Sequence, residues 1–329
     1  MEITWNTTMR QITAQLGLAS RPWLIDPFSE VDASQFLEGK QIADLPLGEL
    51  ARRGLIQGRP SIVSGFNFLL KAAARGNYLY DIWDSGARRE EPGKEKTALF
   101  AFPAEASEKF LLIIPGGGYF NVCSFVEGFP IAESCVRHGI SAFVLQYRCS
   151  GFAHYPNPQE DAAQAVRFIL ANRERFGLKG TDYAVCGFSA GGHLAASFGT
   201  ESLGYARFGV PRPQAEILGY PVITMGDLTH GGSRENLLRE DAMDASTQEQ
   251  WSVEKQVTGN YPPTFVWNCA ADDCVPAQNS AMLEEALTAL RVRVHHEVFP
   301  GTVHGWGLGD GTAAEGWLDR AIQFWKENS

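Results

Sequence analysis

Tyr183-Ala184-Val185-Cys186-Gly187-Phe188-Ser189-Ala190-Gly191-Gly192-His193-Leu194-Ala195-Ala196 is the stretch on which the reading of this chain turns. An apolar β-type run ends in Gly187-Phe188-Ser189-Ala190-Gly191, and an alanine-rich helical pattern follows at once. The spacing G-x-S-x-G between a strand and a helix predicts a tight turn with the serine at its apex. Larger residues two positions either side of Ser189 would meet neighbouring backbone, and glycine avoids that clash. The hydroxyl is thereby pushed out at the carboxyl end of the strand. The N-terminus of the following helix turns its N–H groups towards any negative charge that develops there. Ser189 is the candidate nucleophile.

Working upstream, Leu111-Leu112-Ile113-Ile114-Pro115-Gly116-Gly117-Gly118-Tyr119 places a glycine triplet directly after an apolar run. Such a loop lets backbone amides converge on one point, so Gly117 and Gly118, with the amide of Ala190, are the expected oxyanion donors. There is no G-x-G-x-x-G and no Walker lysine to favour a phosphate loop. Downstream, a serine of this kind needs a base and an orienting carboxylate. His304, in Phe299-Pro300-Gly301-Thr302-Val303-His304-Gly305-Trp306, lies in a glycine-flanked loop after the last strand-like run and is the candidate base. His193, on the first turn of the helix after Ser189, reads as packing or site wall, and His295 and His296 alternate in a strand. Cys269-Ala270-Ala271-Asp272-Asp273-Cys274-Val275-Pro276 offers two carboxylates in a loop after a strand. The spacing to Val275-Pro276 favours Asp272 as the orienting acid, with Asp273 as the alternative. No H-E-x-x-H or His/Cys cluster points to a metal.

Further out, strand and helix patterns alternate from about Tyr78 to the end. Strands are expected at Tyr78 to Trp83, Ala98 to Phe102, Phe110 to Ile114, Ser141 to Tyr147, Tyr183 to Cys186, Ile217 to Val222, Thr264 to Cys269 and Val292 to Phe299. Ser85 to Lys96 reads as a hairpin-like connection. Helices are expected at Phe129 to His138, Asp161 to Phe176, from Ala190, at Ala277 to Leu290 and at Ala313 to Trp325. This alternation predicts an α/β fold, a mostly parallel sheet with helices on both faces. Residues 76–329 form the expected catalytic domain, with 226–262 as a short insertion near the site. Residues 1–75 carry helical hints at Leu47 to Arg53 and Ile62 to Ala74. They hold Trp5, Trp23, Phe28, Phe36, Phe66 and Phe68, too many large apolar groups for a free tail. They are expected to form a helical extension packed on the catalytic domain, walling the acyl pocket or making a homodimer contact.

The chain has 329 residues, 28 Lys plus Arg and 38 Asp plus Glu, and a net charge of −10. That balance argues against binding nucleic acid or anionic membrane, both of which reward positive charge. No apolar run approaches the roughly 18 residues of a membrane-spanning helix. Six scattered cysteines without C-x-x-C and an N-terminus without a leader pattern predict reduced thiols and a cytoplasmic setting.

With these motifs in order, the chain resembles an α/β-hydrolase. Its likeness is to bacterial acetyl-xylan-esterase and dienelactone-hydrolase-like esterases, and more distantly to prolyl-oligopeptidase-type peptidases. The resemblance rests on Pro115 to Tyr119, Tyr147-Arg148, Tyr155-Pro156 with Asp161, Gly187 to Ala196, Pro262 to Phe265, Ala271 to Pro276 and Gly301 to Gly305. It implies an eight-stranded sheet, a Ser189–His304–Asp272 catalytic triad, no cofactor and hydrolysis of carboxylic esters. Pro115 stands where many lipases and hormone-sensitive-lipase-like esterases have histidine, which points away from them, and residues 1–75 have no counterpart in the minimal fold. The leading expectation is a serine esterase of short-chain acyl groups, acetyl esters on carbohydrate foremost. The substrate is then a small-molecule or oligosaccharide ester, with Tyr119 and Trp306 as substrate-binding aromatics. The alternatives are an oligopeptidase-type aminopeptidase and a non-catalytic ligand-binding homologue.

Overall fold

A computed structural model describes residues 2–29, 31 and 40–329. In chain order its strands are β1 (Leu79–Tyr80), β2 (Ala98–Phe102), β3 (Lys109–Ile114), β4 (Ser141–Gln146), β5 (Asp182–Phe188), β6 (Ala215–Gly219), β7 (Thr264–Cys269) and β8 (Val294–Phe299). Among the described residues they form one sheet in the order β1-β2-β4-β3-β5-β6-β7-β8. β2 runs antiparallel to β1 and β4, and the pairs from β4 through β8 are parallel. The expected eight-stranded, mostly parallel sheet is therefore present.

The sheet is buried on both faces because its strands are apolar at successive positions, as helix-covered parallel strands must be. In β3, Leu111 and Ile113 join one core while Phe110, Leu112 and Ile114 join the other, the period of two that a pleated strand imposes. One face is covered by helices Asn157–Ala171, Ser189–Phe198 and Gln278–Ala289. The other is covered by helices Phe129–Arg137 and Trp317–Glu327 together with the N-terminal segment.

That segment folds as helices Met9–Gln15, Leu47–Arg52 and Pro60–Arg75. The first is opened by a capping box between Thr8 and Gln11, a start signal absent from the expectations above. Ile12, Leu24, Leu47, Leu50, Phe66 and Leu69 are fully buried in the same cluster as Phe100 and Leu111 of the sheet. Trp5, Trp23, Phe28 and Phe68 pack against it, whereas Phe36 lies outside the described residues. Helix Pro60–Arg75 rests on helix Phe129–Arg137, and a Cβ added at Gly65 would come within 2.9 Å of Pro130. Only glycine permits that approach.

Several expected boundaries move. The strand expected at Tyr78 to Trp83 shrinks to Leu79–Tyr80, and the hairpin-like connection is instead helical over Ser85–Glu90 with a 3₁₀ turn over Pro92–Lys96. The reason is local: the Asp84 carboxylate caps Gly86 and Ala87 and starts a helix. The helix expected from Asp161 begins four residues earlier, at Asn157, with Pro158 in its first turn, and stops at Ala171. The insertion contains helices Gly231–Leu238 and Ala245–Trp251. No helix among the described residues is long and apolar enough to cross a membrane.

Candidate active site

Ser189 sits at the junction of β5 and helix Ser189–Phe198 with φ +53°, a left-handed conformation costly for any residue with a side chain. The flanking glycines make it attainable. A Cβ at Gly187 would lie 2.4 Å from the Gly191 carbonyl oxygen, and one at Gly191 would lie 2.2 Å from that of Pro115. The backbone of the turn therefore closes on itself and on the loop after β3.

His304 lies in the segment between β8 and helix Trp317–Glu327, and its Nε2 is 2.8 Å from Ser189 Oγ. Its Nδ1 is 2.8 Å from Oδ2 and 3.0 Å from Oδ1 of Asp272, whose side chain is fully buried. Asp272 Oδ1 also accepts the backbone N–H groups of Cys274 and Val275, each at 2.9 Å. Burial alone would raise the Asp272 carboxyl. The hydrogen bond and charge of His304 outweigh it with help from the two amides, and the group is held below the ordinary aspartate range. It is an anion aimed at Nδ1, which leaves Nε2 free to accept the serine proton. Asp273 faces elsewhere: its Oδ1 accepts the backbone N–H of His304 at 3.2 Å. The structure thus brings Ser189, His304 and Asp272 into one hydrogen-bonded chain and puts Asp273 on the main chain of the same histidine.

The glycine loop closes over the serine. A Cβ at Gly116 would lie 2.8 Å from Ser189 Cβ. The Gly117 carbonyl accepts from Phe120 and Asn121 N–H, and the Gly118 carbonyl accepts from Asn236 Nδ2 at 2.9 Å. With φ +130° and +65°, Gly117 and Gly118 direct those carbonyls into the protein. Among the described residues the N–H groups of Gly117, Gly118 and Ala190 have no acceptor. Unpaired donors beside a nucleophile are what an oxyanion site requires.

Beneath this surface lies a buried acid that the sequence reading did not single out. Glu127 Oε2 accepts the Gly116 N–H at 2.7 Å, and Oε1 accepts the Tyr220 hydroxyl at 2.8 Å. Tyr220 Oη in turn accepts the Gly307 N–H at 2.9 Å, and its ring stands edge-on to the His304 imidazole at 4.8 Å. Complete burial raises the Glu127 carboxyl despite the Tyr220 and Gly116 hydrogen bonds. The three groups tie the glycine loop, the end of β6 and the histidine segment together. A lone acid in the apolar stretch Phe125-Val126-Glu127-Gly128-Phe129 is the signal that would have found it.

The prolyl oligopeptidase family matches residues 154–329, more than half of the chain, and the family described as BD-FAE matches residues 100–206. The chain is an α/β hydrolase of the prolyl oligopeptidase family. This hydrolase is 36% identical over 217 residues to endo-1,4-beta-xylanase B of Butyrivibrio fibrisolvens, a match covering 63% of this chain and 34% of the relative. It is 28% identical over 223 residues to acetylxylan esterase of Xylanibacter ruminicola, covering 67% of this chain and 45% of the relative. The hydrolase therefore spans less than half the length of either. Among solved structures it is similar to an acetyl ester-xyloside bifunctional hydrolase from Caldicellulosiruptor lactoaceticus. There the TM-score is 0.67 at 29% identity, over 76% of this chain and 95% of the other.

Other expected residues of the hydrolase take different places. Tyr119, expected to bind substrate, is fully buried, and its hydroxyl is 2.9 Å from Nδ1 of His193. Trp306 is 7% exposed and is covered by the Arg59 guanidinium and by Gly301. Both expectations are corrected, because a side chain enclosed by protein offers no face to a sugar. Phe120, next to Tyr119, is exposed at 49%. His193 is enclosed between Tyr119 and the Trp251 carbonyl, and burial lowers its pKa to about 4, so it stays neutral. His230, missed in the sequence, borders the cleft: its Cε1 would lie 3.7 Å from a Cβ on Gly118. Its Nδ1 is held by Ser233, and burial together with His304 lowers its pKa.

Proposed function

We propose that this hydrolase is a serine carboxylesterase that removes short acyl groups, acetyl foremost, from carbohydrate esters. The observation that carries the proposal is the hydrogen-bonded chain Ser189–His304–Asp272 beside three unpaired amides. Ser189 Oγ attacks the ester carbonyl carbon while His304 Nε2 takes its proton. The imidazolium that forms is stabilised by the Asp272 carboxylate. The tetrahedral oxygen accepts N–H groups of Ala190 and the Gly117–Gly118 loop, each such donor contributing about 10²–10³ in rate. Collapse passes the proton from His304 to the leaving alcohol, and water repeats the sequence on the acyl-enzyme.

The likeness to an acetylxylan esterase and an acetyl ester-xyloside hydrolase supports the acetyl and carbohydrate parts of the reading. Burial of the described residues of the N-terminal segment on the sheet supports their being one body with residues 76–329, and gives Trp5, Trp23, Phe28, Phe66 and Phe68 partners within the chain. Cys135, Cys186 and Cys269 are buried free thiols, which suits a reducing, cytoplasmic setting. The family match favours one second reading, an aminopeptidase. The deciding assay sets p-nitrophenyl esters from acetate to octanoate and acetylated xylan against aminoacyl amides. Turnover of acetate esters with release of acetate from xylan is expected. Amide cleavage without ester turnover would overturn the proposal.

A further inference from the structure

The segment that carries the base has little structure of its own. Residues 301–316, between β8 and the last helix, form neither helix nor strand and contain six glycines. A chain so rich in glycine loses much conformational entropy on being fixed, so partners outside the segment must hold it. The Tyr220 hydroxyl supplies one, at Gly307. Asp273 holds Thr302 and His304, the Trp317 indole N–H donates to the Gly307 carbonyl, and a further set of partners comes from the far end of the sequence.

Gln57, in the connection between helices Leu47–Arg52 and Pro60–Arg75, donates from Nε2 to the His304 carbonyl oxygen at 2.6 Å. The same nitrogen would lie 3.5 Å from a Cβ on Gly305, which has φ +78°. Arg59 Nε donates to Gln57 Oε1 at 2.7 Å and so fixes which end of the amide faces His304. Arg59 also donates to the Asp310 carbonyl at 2.8 Å and covers the Trp306 ring. Ser61 donates from its amide and its hydroxyl to the Asp310 carboxylate, at 3.1 and 2.6 Å. The main chain of His304 is thus gripped on both sides, its N–H by Asp273 and its carbonyl by Gln57.

We propose that residues 57–61 are a positioning clamp for His304, with Gln57 as the residue that sets the imidazole at hydrogen-bond distance from Ser189. The proposal rests on the esterase reading above. It gives the N-terminal extension a part in catalysis: the extension does not touch substrate but fixes the backbone from which the base projects. A shift of the base by about 1 Å is enough to cost up to about 10²-fold in rate.

The test uses the 329-residue chain and two variants. Gln57→Glu keeps an oxygen for Arg59 and removes the donor to His304; Gln57→Leu removes both contacts. Each is assayed on p-nitrophenyl acetate, below its melting temperature, beside Ser189→Ala and His304→Ala. A fall in kcat of about 10- to 100-fold, with KM within about twofold of wild type, is expected for both. The rate at which a fluorophosphonate labels Ser189 should fall in parallel. A merely structural role would lower the melting temperature and leave kcat and labelling unchanged, and that result overturns the proposal. A change confined to KM overturns it equally, because it would place Gln57 at the substrate. Full activity in Ser189→Ala is a different failure, that of the esterase reading itself.

Discussion

Exchanging Asp272 for asparagine tests the site most sharply, because the neighbouring amides dictate how an asparagine must sit. Oδ1 of Asp272 accepts two backbone N–H groups, from Cys274 and Val275, at 2.9 Å each. An asparagine must keep its oxygen there, since turning the amide over would set its NH₂ against two donors. The NH₂ group then occupies the place of Oδ2, 2.8 Å from His304 Nδ1. Two donors cannot share that contact, so the imidazole moves its proton to Nε2 and accepts at Nδ1. Nε2, 2.8 Å from Ser189 Oγ, now bears hydrogen and no longer serves as a base. An imidazole trapped in the wrong tautomer costs about 10⁴ in kcat. Asp273→Asn keeps an acceptor oxygen for the His304 N–H and should change kcat by less than about threefold. Steady-state hydrolysis of p-nitrophenyl acetate measures both, with far-UV circular dichroism to show that each variant is folded. Equal losses in the two variants, or the reverse order, would refute the assignment of the orienting acid.

Ser189→Ala should lower kcat by about 10⁴–10⁶ and leave thermal unfolding close to wild type, since alanine accepts the elbow geometry as serine does; wild-type turnover in a purified sample rules out the serine mechanism. Glu127→Gln offers one oxygen to two buried donors, Gly116 N–H and Tyr220 O–H. One donor is orphaned, so urea unfolding should show a loss of about 1–3 kcal/mol, accompanied by slower turnover; an unchanged midpoint would show that the network contributes nothing. His193 takes up its proton near pH 4 when folded, against 6.5 for the ordinary group. Between those values the unfolded chain binds more protons, so stability falls as pH falls from 6.5 towards 4, by about 3 kcal/mol in all. Urea unfolding across that range should be less acid-sensitive in His193→Gln than in wild type, and parallel curves would disprove the assignment.

What the sequence by itself determined was local. Gly187 to Gly191 between a strand and a helix places Ser189: Gly187 is required within the turn itself, where its Cβ would meet the Gly191 carbonyl, although the contact that requires Gly191, with Pro115, is made across the fold. The glycine triplet, the histidine segment after β8 and the acid after β7 were legible in the same way, as short patterns at the carboxyl ends of strands. Asp272 and Asp273 could be ranked but not separated, since only the folded segment shows which carboxylate meets the ring and which the main chain. Tyr119 and Trp306 were misplaced for the opposite reason: an aromatic in a loop carries no mark of whether it faces solvent or protein. Tertiary structure alone decided the rest. Glu127 reaches Tyr220 across 93 residues, and Gln57 reaches His304 across 247. Such contacts arise when two independently patterned surfaces pack together. Neither strand period nor helix period extends across that gap, so the contact between Gln57 and His304 is visible only once the N-terminal helices have closed on the sheet.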